Sequence, residues 1–492
     1  MPRSRLSLPT YVVLLAALTA LVALPAPAAA GQQPAKPATA TAKAAHPARK
    51  PAVDPHIAAA LRQVSAAHIR ANIEKLVSFG TRLSISPAVP DAIASGRGVG
   101  AAREWIKSEF ERYSQACGGC LEVKTDAFTQ PPVRRVPEAT ELVNVYAVLR
   151  GTDPEAAKRV VLVTGHYDSR PSDTLDTKAD APGANDDGSG TAVSLECARV
   201  LSQYKFPATI IFLTVAGEEQ GLLGAHHFAQ MAKQEGWDLE AVLNNDIVGG
   251  DRSPGQNHNV VRVFSEGIPL PTVTKAVEVR QVRQRATEND SLSRELARYI
   301  AQTGREYLPG PFAPMMVFRP DRYLRGGDHT AFNEEGFAAV RFSEYRENYA
   351  HQHNNVRVEK GEQYGDLPKF VDFDYVARVA RLNAAVLASL ASAPAPPANV
   401  KIDTRKLTDD TTLDWQAGAG GQDASYEVLW RATTSPEWEH TQAVGNVTTV
   451  TLPVSKDNVI FAVRSVDGHG HRSIAVLPVP SGRTTPEGET SN

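Results

Sequence analysis

Long apolar runs alternate with amphipathic stretches through the middle of this 492-residue chain. The apolar runs are ELVNVYAVLRG (141–151), RVVLVTGHYDS (159–169), ATIIFLTVAG (208–217) and LEAVLNNDIVG (239–249). Between them, SGTAVSLECARVLSQY (189–204) and a segment from about Leu222 have the period of a helix. Near-continuous apolar strands separated by helices are typical of a parallel-rich sheet covered on both faces. We therefore predict an α/β fold with a mostly parallel central sheet flanked by helices.

The C-terminal part of the chain has a different pattern. After the linker APAPPANV (393–400), short segments alternate polar and apolar residues: TTLDWQ, SYEVLWRAT, TTVTLPV and NVIFAVRSVDGHGHRS. Period-two patterning with closely spaced turns predicts a small all-β sandwich over 394–482, with a disordered tail at 483–492. His469 and His471 fall in one of its turns, where we expect solvated side chains. The Ala/Pro linker predicts that the sandwich has a core of its own.

The N-terminus has the pattern of a secretory signal peptide. Arg3 and Arg5 precede a short apolar run that ends in small residues at Ala28 and Ala30. Removal of 1–30 would leave a secreted or periplasmic chain with no stable membrane span. The Ala-, Pro- and Lys-rich stretch at 31–55 has little to bury and is predicted to be a disordered spacer.

Charge and cysteine content narrow the possible partners. The net charge is −3 and no block of Lys and Arg stands out, so the pattern excludes a nucleic-acid partner. Cys117 and Cys120 lie in the segment CGGC. In an exported chain this spacing indicates a local structural disulfide, whereas a redox or metal role would need a further motif. Cys197 lies in a helical pattern and is expected to be a buried thiol.

Acidic residues and histidines recur where the predicted strands end. They are His166 and Asp168 in GHYDSR, Asn185 to Asp187 in GANDDGSG, Glu218 and Glu219 in AGEEQGLLG, Asp246 in NNDIVGG, and His351 and His353 in ENYAHQHNNVR. Each cluster alone has an ordinary explanation, such as capping of a helix by the Asp pair. Parallel sheets bind ligands at the carboxyl ends of their strands, however, and four successive ends carry such residues.

The combined set of side chains suits a metal centre. Imidazole nitrogen and carboxylate oxygen are zinc ligands, and three of them would make one open catalytic site. Five, with one carboxylate shared, would hold two metal ions about 3.5 to 4 Å apart. The sequence therefore predicts two Zn²⁺ ions as cofactors.

The motifs GHYDS, GANDDGSG, AGEEQGLLG, NNDIVG and HQHNN occur in the order found in the co-catalytic di-zinc aminopeptidases of metallopeptidase family twenty-eight, which the region 56–393 resembles. The resemblance implies that His166 and Asp246 hold one zinc, that Glu219 and His351 hold the other, and that Asp186 bridges both. It further implies a catalytic pair in which Glu218 is the general base and Asp168 orients His166. A cis peptide between Asp186 and Asp187 is implied as well.

One position departs from the family pattern. The last histidine of the family is usually followed four residues later by Asp, which selects His351 over His353, but this chain has Asn355 there. His353 therefore stays open as the alternative ligand. The C-terminal strands YEVLWR and FAVRSVDGHGHRS resemble those of fibronectin type III domains.

The resemblance implies an exported zinc exopeptidase, an aminopeptidase acting on peptide or protein N-termini. Hydroxide held between the two metals would attack the peptide carbonyl, and Glu218 would accept and return the proton. A glutaminyl cyclase with one zinc and a carboxypeptidase with added basic residues are alternatives on the same scaffold. A zinc-bound adhesion or scaffold protein without activity is another. Intact Glu218 and the complete ligand set favour the peptidase.

Overall fold

The computed structural model describes residues 53–269, 275–421 and 423–481. The predicted signal peptide at 1–30, almost all of the spacer and the tail at 483–492 lie outside these residues. No helix in the described part of the chain combines the length and apolarity needed to cross a bilayer.

The structure has ten α-helices within the described residues. They are α1 (Pro55–Arg62), α2 (Ala66–Ser78), α3 (Pro90–Ala94), α4 (Val99–Ala116), α5 (Gly188–Leu201), α6 (Leu223–Gln234), α7 (Ala276–Arg285), α8 (Leu292–Tyr307), α9 (His329–Glu334) and α10 (Phe373–Ser392). The strands of the larger region are β1 (Leu121–Gln130), β2 (Thr140–Leu149), β3 (Arg159–His166), β4 (Thr209–Val215), β5 (Asp238–Asn245), β6 (Val260–Ser265), β7 (Ala313–Val317), β8 (Ala339–Glu344), β9 (Arg357–Glu359) and β10 (Glu362–Tyr364). Those of the C-terminal region are β11 (Ala398–Asp403), β12 (Thr411–Gln416), β13 (Ser425–Ala432), β14 (His440–Gly445), β15 (Thr449–Leu452), β16 (Val459–Val466) and β17 (Val479–Ser481).

An eight-stranded mixed sheet in the order β1-β2-β4-β3-β5-β8-β6-β7 forms the centre of the larger region. Its middle is parallel, because β3 pairs in parallel with β4 and β5, and β5 pairs in parallel with β8. The four apolar runs read from the sequence correspond to β2, β3, β4 and β5, so the predicted α/β fold is confirmed. Parallel pairing matters for function because it brings the carboxyl ends of β3, β4 and β5 to one edge.

Both faces of this sheet are buried, which explains why its strands lack polar alternation. Along β3, Val161 and Val163 join the core that includes residues of α2, α5 and α10. Val160 and Leu162 point to the opposite face and join the core that includes α6 and α9. Burial on two faces therefore requires an apolar residue at nearly every position of the strand.

Two further sheets make up the C-terminal region, in the orders β15-β12-β11-β17 and β14-β13-β16. Residues of both sheets, among them Leu413, Val428 and Phe461, share one hydrophobic core. The C-terminal region also packs on the larger region, because Ile474 belongs to the main core. His471 differs from the sequence expectation. Its side chain is 11% exposed, with Nε2 2.8 Å from an oxygen of Asp54 and Nδ1 2.7 Å from one of Asp467.

The cysteines behave as the sequence predicts. Cys117 and Cys120 form a disulfide at the end of α4, and Cys197 is a buried free thiol in α5.

Candidate metal centre

All the side chains predicted for the site except His351 are brought together at the carboxyl edge of the parallel strands. His166 is the last residue of β3, Glu218 and Glu219 follow β4, and Asp246 follows β5. Asp186 lies in the loop before α5, which its neighbour Asp187 caps by accepting the N–H of Gly190. The two adjacent aspartates therefore differ in position, because Asp187 caps the helix and Asp186 faces the cleft.

Two groups of ligating atoms share Asp186. In the first group, Nε2 of His166 lies 3.3 Å from Oδ1 of Asp186 and 3.8 Å from Oδ1 of Asp246. In the second, Nε2 of His353 lies 2.8 Å from Oδ2 of Asp186 and 3.0 Å from Oε1 of Glu219. The ligating atoms of each group all lie within 4.8 Å of one another. Asp186 therefore offers one oxygen to each group.

His351, the histidine that the resemblance selects, lies outside both groups of ligating atoms. Its ring stacks on Phe370 with centroids 3.6 Å apart, and its Nδ1 hydrogen-bonds the carboxylate of Asp251. The turn that follows has left-handed backbone at His353, with φ of 52°, and brings His353 to Asp186.

The family pattern that selects His351 places Asn355 four residues after it, at the position of the supporting Asp. Asn355 instead accepts a hydrogen bond from the backbone N–H of Ser172 at 2.9 Å. The carboxylate that holds His351 comes from Asp251, a hundred residues earlier in the chain. No local spacing rule could have identified that pair.

Asp168 is fully buried and organises the residues around it. Its carboxylate accepts the backbone N–H groups of Glu218 at 3.3 Å and Glu219 at 3.2 Å, and the hydroxyl of Ser84 at 2.8 Å. Nδ1 of His166 lies 3.2 Å from the backbone oxygen of Asp168, so this nitrogen carries the proton. The lone pair of Nε2 is then directed at the cleft, where a cation can bind it.

The electrostatics of the carboxylates differ because their neighbours differ. Burial raises the pKa of Glu218 well above its ordinary value, and the charges of Asp246 and Glu219 add to it while His166 opposes it. Burial also acts to raise the pKa of Asp186, but the charge of His353 and the close contacts with both histidines hold that pKa well below its ordinary value. The cleft thus combines a carboxylate suited to carrying a proton with one suited to staying ionised.

Several residues that position the loop of Asp186 carry no signal in the sequence pattern. Arg82 is completely buried and donates to four backbone oxygens, including those of Tyr167 at 2.7 Å and Gly183 at 2.8 Å. Asp366 accepts the backbone N–H of Asp186 at 2.7 Å. These contacts fix the loop that carries Asp186. The peptide between Asp186 and Asp187 is cis, as the resemblance implies.

The donor set fits zinc. It consists of two imidazoles and three carboxylates, and imidazole nitrogen and carboxylate oxygen are both ligands found in zinc enzymes. Within the described part of the chain, Nε2 of His166 and Oε1 of Glu219 are buried without a hydrogen-bond partner. Buried polar atoms normally have such partners, so a cation between the side chains would satisfy both.

Comparisons with known proteins show which family the chain resembles. The family model described as Peptidase family M28 matches residues 144–359. A probable zinc metalloprotease of Pyrenophora teres is 44% identical over 87% of this chain and 88% of its own length. One from Leptosphaeria maculans is 45% identical over 88% of this chain and 98% of its own. The crystal structure of the Legionella pneumophila LapA aminopeptidase has a TM-score of 0.47 and 20% identity, covering 68% of this chain and 74% of that one.

Proposed function

Because the chain belongs to peptidase family M28 and is a zinc metalloprotease, we propose that it is an exported di-zinc aminopeptidase that releases residues from peptide N-termini. The observation that carries the proposal is the sharing of Asp186 between two ligand groups beside Glu218. A single-metal centre would not need a carboxylate with one oxygen for each group.

In this proposal His166 and Asp246 would hold one zinc, Glu219 and His353 would hold the other, and Asp186 would offer one oxygen to each. Bound zinc ions supply Lewis acidity, which polarises a substrate carbonyl and lowers the pKa of coordinated water. The ends of β3, β4 and β5 hold His166, Glu219 and Asp246 in place before substrate arrives, so little reorganisation is needed during the reaction.

Glu218 moves the proton. It lines the same cleft as Asp186, Glu219 and Asp246, and its raised pKa suits a group that accepts a proton from water and then donates it to the departing amine. Asp168 binds the backbone N–H groups of both glutamates, which fixes the direction in which each carboxylate leaves the strand. The N-terminal amine of a substrate would face the carboxylates of the cleft.

Export and the nature of the C-terminal domain are part of the same proposal. The apolar run behind Arg3 and Arg5 supports export, and the disulfide between Cys117 and Cys120 is typical of an oxidising compartment. The two C-terminal sheets with a common core support a fibronectin type III-like domain.

The test compares free and blocked substrates on protein of known metal content. We expect close to two zinc ions per chain, activity lost to chelators, and hydrolysis of aminoacyl anilides but not of their N-acetylated forms. One tightly bound ion at full activity, together with cyclisation of N-terminal glutamine, would favour the cyclase. Cleavage of blocked peptides from the carboxyl end would favour the carboxypeptidase.

A further inference from the structure

Four arginines line the cleft of about 620 Å³ that holds Glu218 and the proposed ligands. They are Arg135, Arg170, Arg322 and Arg325. A peptidase needs carboxylates and metals at its centre, but hydrolysis of a peptide bond does not require this many guanidinium groups around them. Their role depends on how much of their charge the protein itself neutralises.

The first pair, Arg322 and Arg325, shares one carboxylate with a third arginine. Glu347 lies 2.6 Å from Arg322, 2.7 Å from Arg262 and 3.6 Å from Arg325. Arg322 is also paired with Asp321 at 3.2 Å, whereas Arg325 has no closer anion in the described residues. One carboxylate cannot balance three guanidinium groups, so positive charge is left over at this end of the cleft.

Arg325 is the member of this pair that a ligand can reach. Its side chain is 46% exposed, against 9% for Arg322. The guanidinium lies 5.1 Å from the centre of the Tyr349 ring and donates to the Tyr349 hydroxyl at 2.9 Å. The contacts with Tyr349 hold the planar group in one orientation while part of its donor set stays exposed. That is the arrangement needed for recognition of a carboxylate.

The second pair, Arg135 and Arg170, surrounds Glu219. Arg170 lies 2.8 Å from Oε2 of Glu219, and Arg135 donates to the backbone oxygen of Glu219 at 2.8 Å. That bond is the one hydrogen bond of Arg135 among the residues that the structure describes. In the proposed function Glu219 is a zinc ligand, so its charge is shared with a dication and the two arginines are left with less compensation.

The charges of the cleft with two zinc ions bound also leave an excess of positive charge. The carboxylates of Asp186, Glu219 and Asp246 carry three negative charges, and two zinc dications would offset them whether or not Glu218 holds a proton. The four lining arginines then face only Glu347 and Asp321. With metal bound the arginines leave the cleft basic, and a basic cleft with low-dielectric walls attracts anions.

We propose that the cleft selects peptides that carry a carboxylate within one or two residues of the scissile bond, with Arg325 and Arg135 as the recognising residues. The inference rests on the proposed peptidase function. The carboxylate can belong to an acidic side chain or to the free C-terminus of a dipeptide or tripeptide. Both present the planar anion that a guanidinium binds through two hydrogen bonds.

Two matched substrate pairs distinguish these sources. Leu-Glu-amide against Leu-Gln-amide tests the side-chain carboxylate, and Leu-Gly against Leu-Gly-amide tests the terminal one. For at least one pair we expect kcat/KM to be about tenfold or more higher for the charged member, the scale of one hydrogen bond to a charged group. The preference should shrink as ionic strength rises, because the cleft is open to solvent.

Variants test the residue assignment. Arg325→Gln should lower the ratio of charged to neutral kcat/KM, while Arg319→Gln, on the same loop but outside the cleft lining, should leave the ratio unchanged. Arg135→Gln should also lower the ratio, with the exposed neighbour Arg134 as its matched control. An unchanged ratio in both Arg325→Gln and Arg135→Gln would overturn the assignment.

Binding gives a readout that does not depend on turnover. Calorimetric titration of the Glu218→Gln protein with Leu-Glu-amide and Leu-Gln-amide should show tighter binding of the charged peptide, and Arg325→Gln should remove the difference. If no member of either pair is hydrolysed, the proposed function is wrong and the titration alone decides the inference. If both members of each pair are hydrolysed equally well and bind equally, the function stands and the inference is wrong.

Discussion

Nε2 of His353 lies 2.8 Å from Oδ2 of Asp186, so the second histidine of the HQH segment, not the first, faces the shared carboxylate of the candidate metal centre. The first, His351, is 8% exposed and bound to Asp251. The two histidines are two residues apart in sequence and have separate tasks. One is placed to bind a cation, and the other holds a buried carboxylate.

Substitution of these histidines should have different effects on metal content. His353→Ala should lower zinc occupancy at one site, because it removes an imidazole from the group formed with Asp186 and Glu219. His351→Ala should keep both zinc ions but lower the free energy of unfolding by about 1–3 kcal/mol, because buried Asp251 loses its partner. Metal analysis and chemical denaturation of the two variants measure both effects. Loss of zinc in His351→Ala with full occupancy in His353→Ala would restore the assignment made from the sequence.

Substitution of the adjacent glutamates Glu218 and Glu219 should also have different effects on zinc content and turnover. Glu218→Gln keeps the size of the side chain but cannot accept a proton, so kcat should fall by about 10² to 10⁴ with both zinc ions retained. Glu219→Gln should instead lower zinc occupancy at the site shared with His353. Parallel metal analysis and steady-state kinetics make the comparison. Stripping of zinc by Glu218→Gln alone would reverse the two roles.

Asp168→Asn tests the support beneath the site. The neutral amide accepts only on its oxygen, so one of the backbone N–H groups of Glu218 and Glu219 loses its acceptor and the other keeps only an uncharged one. We expect a loss of about 10- to 100-fold in activity or zinc affinity, the usual scale for a residue that orients ligands. Ser84→Ala is the matched control, because it removes a different donor to Asp168 and leaves the carboxylate charged. Equal effects of the two variants would count against the orienting role.

The contact between His471 and Asp54 should make stability depend on pH. Burial acts to lower the pKa of His471, but hydrogen bonds with Asp467 and Asp54 outweigh burial and raise this pKa above 6.5. Because the folded-state pKa is the higher one, the stabilisation is fully present below pH 6.5 and is lost as the pH rises through the folded-state value. His471→Gln should therefore be less stable than the wild type at pH 5.5, and the difference should shrink at pH 9.

The acidic partners of His471 set the lower limit of the pH range in which this contact stabilises the fold. The pKa values of Asp54 and Asp467 are lowered despite burial, mainly by their bonds to His471. Their contribution is present above pH 3.8 and disappears as the pH falls through the lowered values. Thermal unfolding at several pH values gives the profile, with exposed His469→Gln as the control. A constant difference from pH 5.5 to 9 would contradict the prediction.

The interface between the C-terminal domain and α8 should contribute strongly to stability. Arg431, 2% exposed, hydrogen-bonds Asp290, and Trp438 donates to Glu295 at 3.0 Å. Arg431→Gln removes one of the two buried arginines that pair with Asp290, the other being Arg298 at 3.1 Å, and should cost about 1–3 kcal/mol. Arg305→Gln breaks an exposed pair with Glu437 across the same interface and should cost about 1 kcal/mol or less. Chemical denaturation measures both, and equal costs would contradict the prediction.

Truncation at Ala393 extends this test to the whole domain. It removes Ile474 from the main core and leaves Asp290 and Glu295 without their C-terminal partners. We expect a shortened chain that is less stable than the intact one, although every proposed site residue precedes the cut. Unchanged stability would show that the two parts fold independently.

Much of the fold and most of the site follow from the sequence for local reasons. A strand buried on both faces must be apolar at nearly every position, so β2 to β5 are visible in the pattern of Val, Ile and Leu. Polar residues at the ends of such strands then stand out, and parallel pairing places His166, Glu219 and Asp246 at one edge. The linker and the change to period two mark the C-terminal sheets in the same direct way.

The tertiary structure alone decided the features that depend on residues far apart in the chain. Whether His351 or His353 faces Asp186 is settled by the path of a loop and by Asp251, which captures His351 from a hundred residues away. Four other features also depend on contacts between distant segments. They are the hydrogen bonds of Arg82 to the loop of Asp186, the hydrogen bond of Asp366 to Asp186, the arginines around Glu347, and the contact of His471 with Asp54. The pattern of apolar and polar residues in a segment reflects which of its own side chains are buried. It does not identify the distant residue that each of them contacts.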